Sequence, residues 1–147
     1  MQVIIMNKEN FSEIAINNII LVNQHICKHR PEIHNVDIQS LNNIFLNVNQ
    51  HNEIKDKRKR IVKKSSHLFA GIIFHQPFTN GNKTTAETIM KYFLKINGYQ
   101  LPMQNEADSQ NVITLEVSIS PLKLFEDQYD VAFEITYDYL IRNIEDL

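Results

Sequence analysis

The chain has 147 residues, enough for one domain with a real hydrophobic core and no need of metals or staples. A net charge of -2 gives no global pull toward nucleic acid or anionic membrane, and the single cysteine, Cys27, excludes an internal disulfide and a Cys-based zinc cluster, as suits a reducing cytosol. With 43% hydrophobic and 22% charged residues the composition is that of a globular protein, and 3 Gly and 4 Pro are too few for the turns of a β-sandwich.

The opening "MQVIIMNKENFSEI" has too short an apolar run for a signal segment, and no run approaches the roughly 18 apolar residues of a membrane span. A soluble, cytoplasmic protein of one domain, residues 1–147, is expected. Residues 3–6, "VIIM", read as a stub strand or an extended lead-in. From about Asn10 to Lys28, the residues Phe11, Ile14, Ile16, Ile19, Ile20, Val22 and Ile26 form a wide apolar helical face, closed by Arg30-Pro31. Asp37 or Asn35 can cap a second helix, which carries Ile38, Leu41, Ile44, Phe45 and Val48 at 3-4 spacing and ends near residue 52. A third segment, from about Glu53 to Phe74, begins charged and ends apolar, as a helix does when it enters the core.

After the polar loop "HQPFTNG", the stretch "NKTTAETIMKYFLKING" reads as a helix with Gly98 at the left-handed position past its end. "LPMQNEADSQ" reads as a loop. Residues 110–119, "QNVITLEVSI", alternate well enough for a strand, although the helical context makes a helix equally compatible. Tyr129 to Ile144 carries Val131, Phe133, Ile135, Tyr139, Leu140 and Ile144 as a final helix. The expected architecture is a mostly α bundle with a buried helical hairpin over residues 66–97 and room for a short strand or hairpin at its edge.

The loop holds the chemistry. Pro77 fixes one backbone angle and Phe78 can anchor the turn in the core. Gly81 can take positive φ, and Asn80 and Asn82 beside it are residues that tolerate it. Such a turn aims several N–H groups one way, and the following helix adds its unpaired N–H groups and positive dipole end, which together seat a phosphate. Lys83 supplies a charge that does not suit the helix itself, and Thr84 and Thr85 can donate hydroxyls. The competing reading is an ordinary helix–loop–helix corner whose Asn and Thr residues only cap.

"PFTNGNKTTA" resembles the signature of the Fic/Doc (fido) family, whose loop reads H-P-F-x-[DE]-G-N-[GK]-R. "FAGIIFHQPF" upstream and "YFLKINGY" downstream also resemble the helices that flank that loop, over roughly residues 66–100. The resemblance implies a helical fold, ATP or another nucleotide as ligand, Mg²⁺, and transfer of AMP, or of the γ-phosphoryl group in Doc-type members, to a protein hydroxyl. It implies phosphate contacts from Pro77, Phe78, Thr79, Asn80, Gly81, Asn82, Lys83 and Thr84.

Three positions depart from the pattern. In the gapless alignment Gln76 takes the place of the histidine that accepts the hydroxyl proton, and His75 sits one residue early. Gln cannot take up a proton near neutral pH. Asn80 stands where an acid would hold magnesium, so metal binding there is expected to be weak, and Thr84 replaces the arginine. An insertion before Pro77 would bring His75 into register as the base; otherwise it is a histidine at a helix end. The family's inhibitory [ST]-x-x-x-E-[GN] string does not occur, so the resemblance implies either a separate antitoxin-like regulator or no vigorous activity to restrain. The target protein stays unnamed. A catalytically inactive nucleotide-binding protein and a pure interaction module are the alternatives.

Two other clusters bear weighing. "HICKH" places His25 and His29 one turn apart, with His34 as a third candidate zinc ligand, but a polar stripe near a helix end is favoured. "KDKRKRIVKK", residues 55–64, could meet nucleic acid; without aromatics, and with Asp56 inside it, a solvated helix face is favoured.

Overall fold

The computed structural model describes residues 13–30, 35–102 and 105–147. Within them run six α-helices: α1 (Glu13–Ile26), α2 (Ile38–Asn49), α3 (Lys57–His75), α4 (Asn82–Ile96), α5 (Glu106–Ile119) and α6 (Tyr129–Asn143). Two 3₁₀ turns, Ser120–Leu124 and Glu126–Gln128, join α5 to α6. Strands β1 (Tyr99–Gln100) and β2 (Glu145–Asp146) pair antiparallel, Tyr99 opposite Asp146. The mostly α architecture with a small edge pairing is the one expected. The stub strand at 3–6 falls outside the described residues. Among those residues, no helix is long and apolar enough to cross a membrane.

The central element is α3, which packs against α2, α4 and α6. Its second half, Leu68 to Phe74, is buried on every side. Two serines accompany the apolar residues inside, and each satisfies its hydroxyl on its own helix: Ser65 donates to Ile61 O at 2.8 Å and Ser66 to Val62 O at 2.7 Å. Gly71 admits α2 closely, since a Cβ there would lie 3.0 Å from Ile44 Cγ1. Asp37 caps α2 by accepting from Ser40 N at 3.1 Å, and Asp56 caps α3 through Lys59 N.

The basic stretch 55–64 is a solvated face only in part: Lys55, Lys57 and Lys59 are exposed, while other cations turn to the fold. Arg58 donates to Ile141 O and Ile144 O, both at 3.0 Å, and so closes the C-terminal end of α6. Arg60 donates to Ile54 O at 2.8 Å, Lys57 lies over the Tyr99 ring, and Lys63 over the Tyr137 ring. Lys64 is fully buried and donates to Asn52 Oδ1. Arg58, Arg60 and Lys64 thus serve the fold.

Two further expectations are corrected. Residues 106–119 form a helix, so the loop before it ends at Asn105, whose side chain accepts from Asp108 N at 3.0 Å. Val112, Leu115 and Ile119 are buried at 3-4 spacing, a period no strand can use. In α6 the inward stripe is Ala132, Thr136 and Leu140, while Val131 is exposed. Small residues let α6 approach α3, so the larger side chains turn to the flanks.

Candidate functional site

The loop between α3 and α4 is tied down at three points. Gln76 ends α3 in the left-handed region, φ 47° and ψ 61°, with its N–H on Ile72 O at 3.0 Å. Pro77 explains the stop, because proline disfavours helical backbone in the residue before it. The outer strand of the loop then zips to residues 35–37: Asp37 N donates to Pro77 O at 2.6 Å, Val36 bridges Phe78, and Thr79 N donates to Asn35 O at 3.1 Å. Thr79 Oγ1 also accepts from Asn35 N at 3.0 Å.

The second tie is Asn82, whose side chain imitates a backbone amide. Its Oδ1 accepts from Phe78 N at 3.1 Å and its Nδ2 donates to Phe78 O at 2.7 Å. Phe78 and Pro77 are buried beneath the loop. The third tie comes from α1. Asn23, itself buried, donates from Nδ2 to Asn80 O at 2.8 Å and to Thr85 Oγ1 at 3.1 Å, and Cys27 Sγ donates to Asn80 O at 3.5 Å.

These ties decide where the donors point. In a trans peptide the N–H lies opposite the C=O, so holding Asn80 O against α1 aims Gly81 N–H away from it. Gly81 has φ 76°, and a Cβ there would lie 2.7 Å from Cys27 Sγ, so only glycine fits this approach. From Asn80 to Thr84 no main-chain N–H donates to another described residue; the first helical bond of α4 is Thr85 N to Gly81 O at 2.9 Å. The result is five unspent N–H groups at a helix start, the arrangement that receives an anion.

A cavity of about 360 Å³ lies there, lined by Arg30, Gln76, Thr79, Asn80, Gly81, Asn82, Lys83 and Thr84. A larger one, about 510 Å³, lies between α5 and α6 and includes no residue of the loop. Its Thr114 and Ser118 hydroxyls are already spent on their own helix.

His75 stands apart from the cavity lining. It is the last residue of α3, with one ring face stacked on Tyr129 at 5.1 Å and Phe74 edge-on at the same distance. The covered face lowers its pKa and keeps the imidazole neutral at pH 7. Tyr129 is held in turn by His67, with its hydroxyl 2.7 Å from Nδ1. Burial and neighbouring Glu87 push the Glu116 carboxyl up to about 7, against the fields of Lys83 and Lys91.

Magnesium is implied by the resemblance, and the donor set does not fit it. Among the described residues, the cavity lining includes no carboxylate. Asn82's amide and Asn80's main-chain oxygen are already spent, which leaves the uncharged side-chain amides of Gln76 and Asn80 and the threonine hydroxyls among the described lining side chains. Magnesium asks for near-octahedral oxygen ligands, normally with one or two carboxylates. No group of three metal-ligating side chains occurs among the described residues. His25 and His29 are exposed, with His29 past the end of α1, and His34 lies outside the described residues.

Sequence reasoning missed Asn23, Cys27, Arg30 and Asn35. Asn23 and Cys27 carried a signal, a polar pair at i, i+4 on the apolar face of α1, where a buried amide must find a partner. Arg30 and Asn35 carried none. No curated protein and no solved structure matches the chain. A family model described as the Fic/DOC family matches residues 14–94, more than half of the chain and nearly all of the α1–α4 frame that builds the loop. The chain therefore belongs to the Fic/DOC family.

Proposed function

We propose that this protein binds the phosphates of ATP or another nucleotide at the 80–84 loop and transfers AMP or a phosphoryl group to a hydroxyl of a target protein. What carries the reading is the set of five unspent N–H groups beside Lys83, on a loop whose carbonyls are tied back into the fold. In the reaction the target's hydroxyl oxygen forms a new bond to phosphorus. Attack at the α phosphorus breaks its bond to pyrophosphate; attack at the γ phosphorus breaks its bond to ADP. Gln76 at the cavity rim hydrogen-bonds the incoming hydroxyl, and the released proton passes to the neutral imidazole of His75 one residue back, or to water. The N–H groups and Lys83 hold charge that develops on the phosphate oxygens.

A cytoplasmic location, where ATP is supplied, is part of the same proposal. With no inhibitory string in the sequence, restraint would come from a separate antitoxin-like partner.

One observation favours a second reading, nucleotide binding without turnover: the only side chain at the histidine position that reaches the cavity is Gln76, which cannot act as a base. The two are separated by label transfer. The protein is incubated with cell extract and ATP labelled at the α or the γ phosphate, with Gln76→His and Lys83→Ala alongside. Transfer by the wild type, lost in Lys83→Ala, supports the transferase, and the label's position names the group moved. Wild-type silence with transfer by Gln76→His supports binding without turnover. General-base help is worth about 10² to 10⁴ in rate, so Gln76→His is expected to gain on that scale. Silence from both, with no ATP binding, overturns the reading.

A further inference from the structure

We infer that the two 3₁₀ turns and the first turn of α6 form a docking surface for the target protein, one that selects a target segment in which Lys or Arg and apolar side chains flank the hydroxyl. The inference rests on the transferase reading above for the identity of the occupant and adds to it the class of target.

Leu124 and Phe125 are 76% and 60% exposed, and Val131, in the first turn of α6, is 41% exposed. Single exposed apolar residues are ordinary, but three within residues 124–131, two of them adjacent, mark a contact surface. The segment that carries them is fixed. Leu122 and Tyr129 pack against the core, Phe125 N donates to Leu122 O at 3.0 Å, and Gln128 N donates to Phe125 O at 3.0 Å. The fold thus holds Leu124 and Phe125 outward from an anchored turn.

Charge says what covers them. Glu126, Asp127, Asp130 and Glu134 are exposed, and among the described residues none of their side chains forms an ion pair or a hydrogen bond. Lys123 is the one cation between Ser120 and Glu134. A partner that brings Lys or Arg pairs with these carboxylates, whereas an anionic membrane, a nucleic acid or the nucleotide itself is repelled.

The surface adjoins the candidate site. Tyr129, directly after the second turn, stacks on His75 at 5.1 Å, and the next residue in the chain, Gln76, lines the phosphate cavity. The nucleotide is drawn to Lys83 and the loop N–H groups and a cationic target to the start of α6, so the two substrates approach Gln76 over surfaces of opposite charge.

The test uses two short fluorescein-labelled peptides, one of Lys and Leu around a central Thr and one with Glu in place of every Lys. Their binding is read by anisotropy for the wild type, Leu124→Ser/Phe125→Ser and Asp127→Lys/Asp130→Lys, with ATP binding and melting temperature measured alongside. The wild type is expected to bind the Lys/Leu peptide and not its Glu counterpart. Leu124→Ser/Phe125→Ser should weaken that binding by roughly 10-fold or more. Asp127→Lys/Asp130→Lys should lose it and gain the Glu/Leu peptide. Both variants should keep the ligand-free melting temperature and the ATP affinity of the wild type, since the changed side chains are exposed and lie outside the phosphate loop. Equal peptide binding by all three proteins, or none by the wild type, overturns the inference. So does a wild-type dimer in sedimentation that Leu124→Ser/Phe125→Ser dissociates, because the surface would then belong to a second copy. Peptide binding as expected from a wild type that does not bind ATP overturns the nucleotide reading and leaves the surface standing.

Discussion

Acidification should destabilise the protein through His67, and the amount can be worked out. His67 is buried in α3 with its Nδ1 2.7 Å from Tyr129 Oη and its Nε2 2.8 Å from His51 Nε2, and it stacks on Phe133 at 4.2 Å. Two facing ring nitrogens share one proton; a second proton would set N–H against N–H inside the fold. Burial first, then His51 and Lys63, lower the His67 pKa to about 3 from 6.5, and His51 is lowered as well, by burial and by Lys63 and Lys64. Because the folded value lies below the unfolded one, the unfolded chain binds more protons between them. Stability is thus fully present above 6.5 and is lost as pH falls. At pH 5 the unfolded imidazole has been protonated over about 1.5 pH units while the folded one stays neutral, which costs about 2 kcal/mol. Urea unfolding at pH 7 and pH 5 reads this directly. The wild type should lose about 2 kcal/mol more over that interval than His67→Gln, whatever the variant's stability at pH 7. Equal losses in the two proteins, or an NMR titration that places His67 near 6.5, would refute the reasoning.

Three substitutions test the frame around the loop. Gly81→Ala should cost at least about 2 kcal/mol by thermal or urea unfolding, since it combines left-handed strain with a Cβ 2.7 Å from Cys27 Sγ. Asn23→Ala strips the Asn80 carbonyl and Thr85 hydroxyl of their donor, and should cost about 1–3 kcal/mol and shrink the ATP-induced rise in melting temperature; the exposed Gln24→Ala should do neither. Arg58→Gln removes two hydrogen bonds from the end of α6, and should cost about 2 kcal/mol. It should also speed hydrogen exchange at Leu147 N–H, which is bonded to Gly98 O.

Helix periodicity made α2, α3 and α4 legible almost to their ends, because each has a buried stripe at 3-4 spacing and a recognisable boundary, Asp37 before α2, Gln76-Pro77 after α3 and Gly98 after α4. The segment 110–119 was ambiguous for a physical reason: Val112, Ile113, Leu115, Val117 and Ile119 alternate nearly as a strand does, and only tertiary packing leaves Ile113 and Val117 outside. Charge at 55–64 was read only in part: Lys55 and Lys59 are exposed as expected, but composition cannot tell such a lysine from Arg58, which caps a helix 83 residues away. The loop's resemblance to the family signature was legible from Pro77 to Lys83. What holds the loop was not. Asn23, Cys27, Arg30 and Asn35 reach it from distant sequence, and no local pattern encodes that meeting.

The central claim is that the backbone N–H groups of residues 80–84 receive a nucleotide phosphate. An amide-resolved NMR titration of the ¹⁵N-labelled protein with ATP tests it most directly. The account predicts that the N–H signals of Asn80, Gly81, Asn82, Lys83 and Thr84 shift together and saturably, and that the same shifts are lost in Lys83→Ala. A titration that leaves those five signals in place, or that moves residues of the α5–α6 cavity instead, would contradict it.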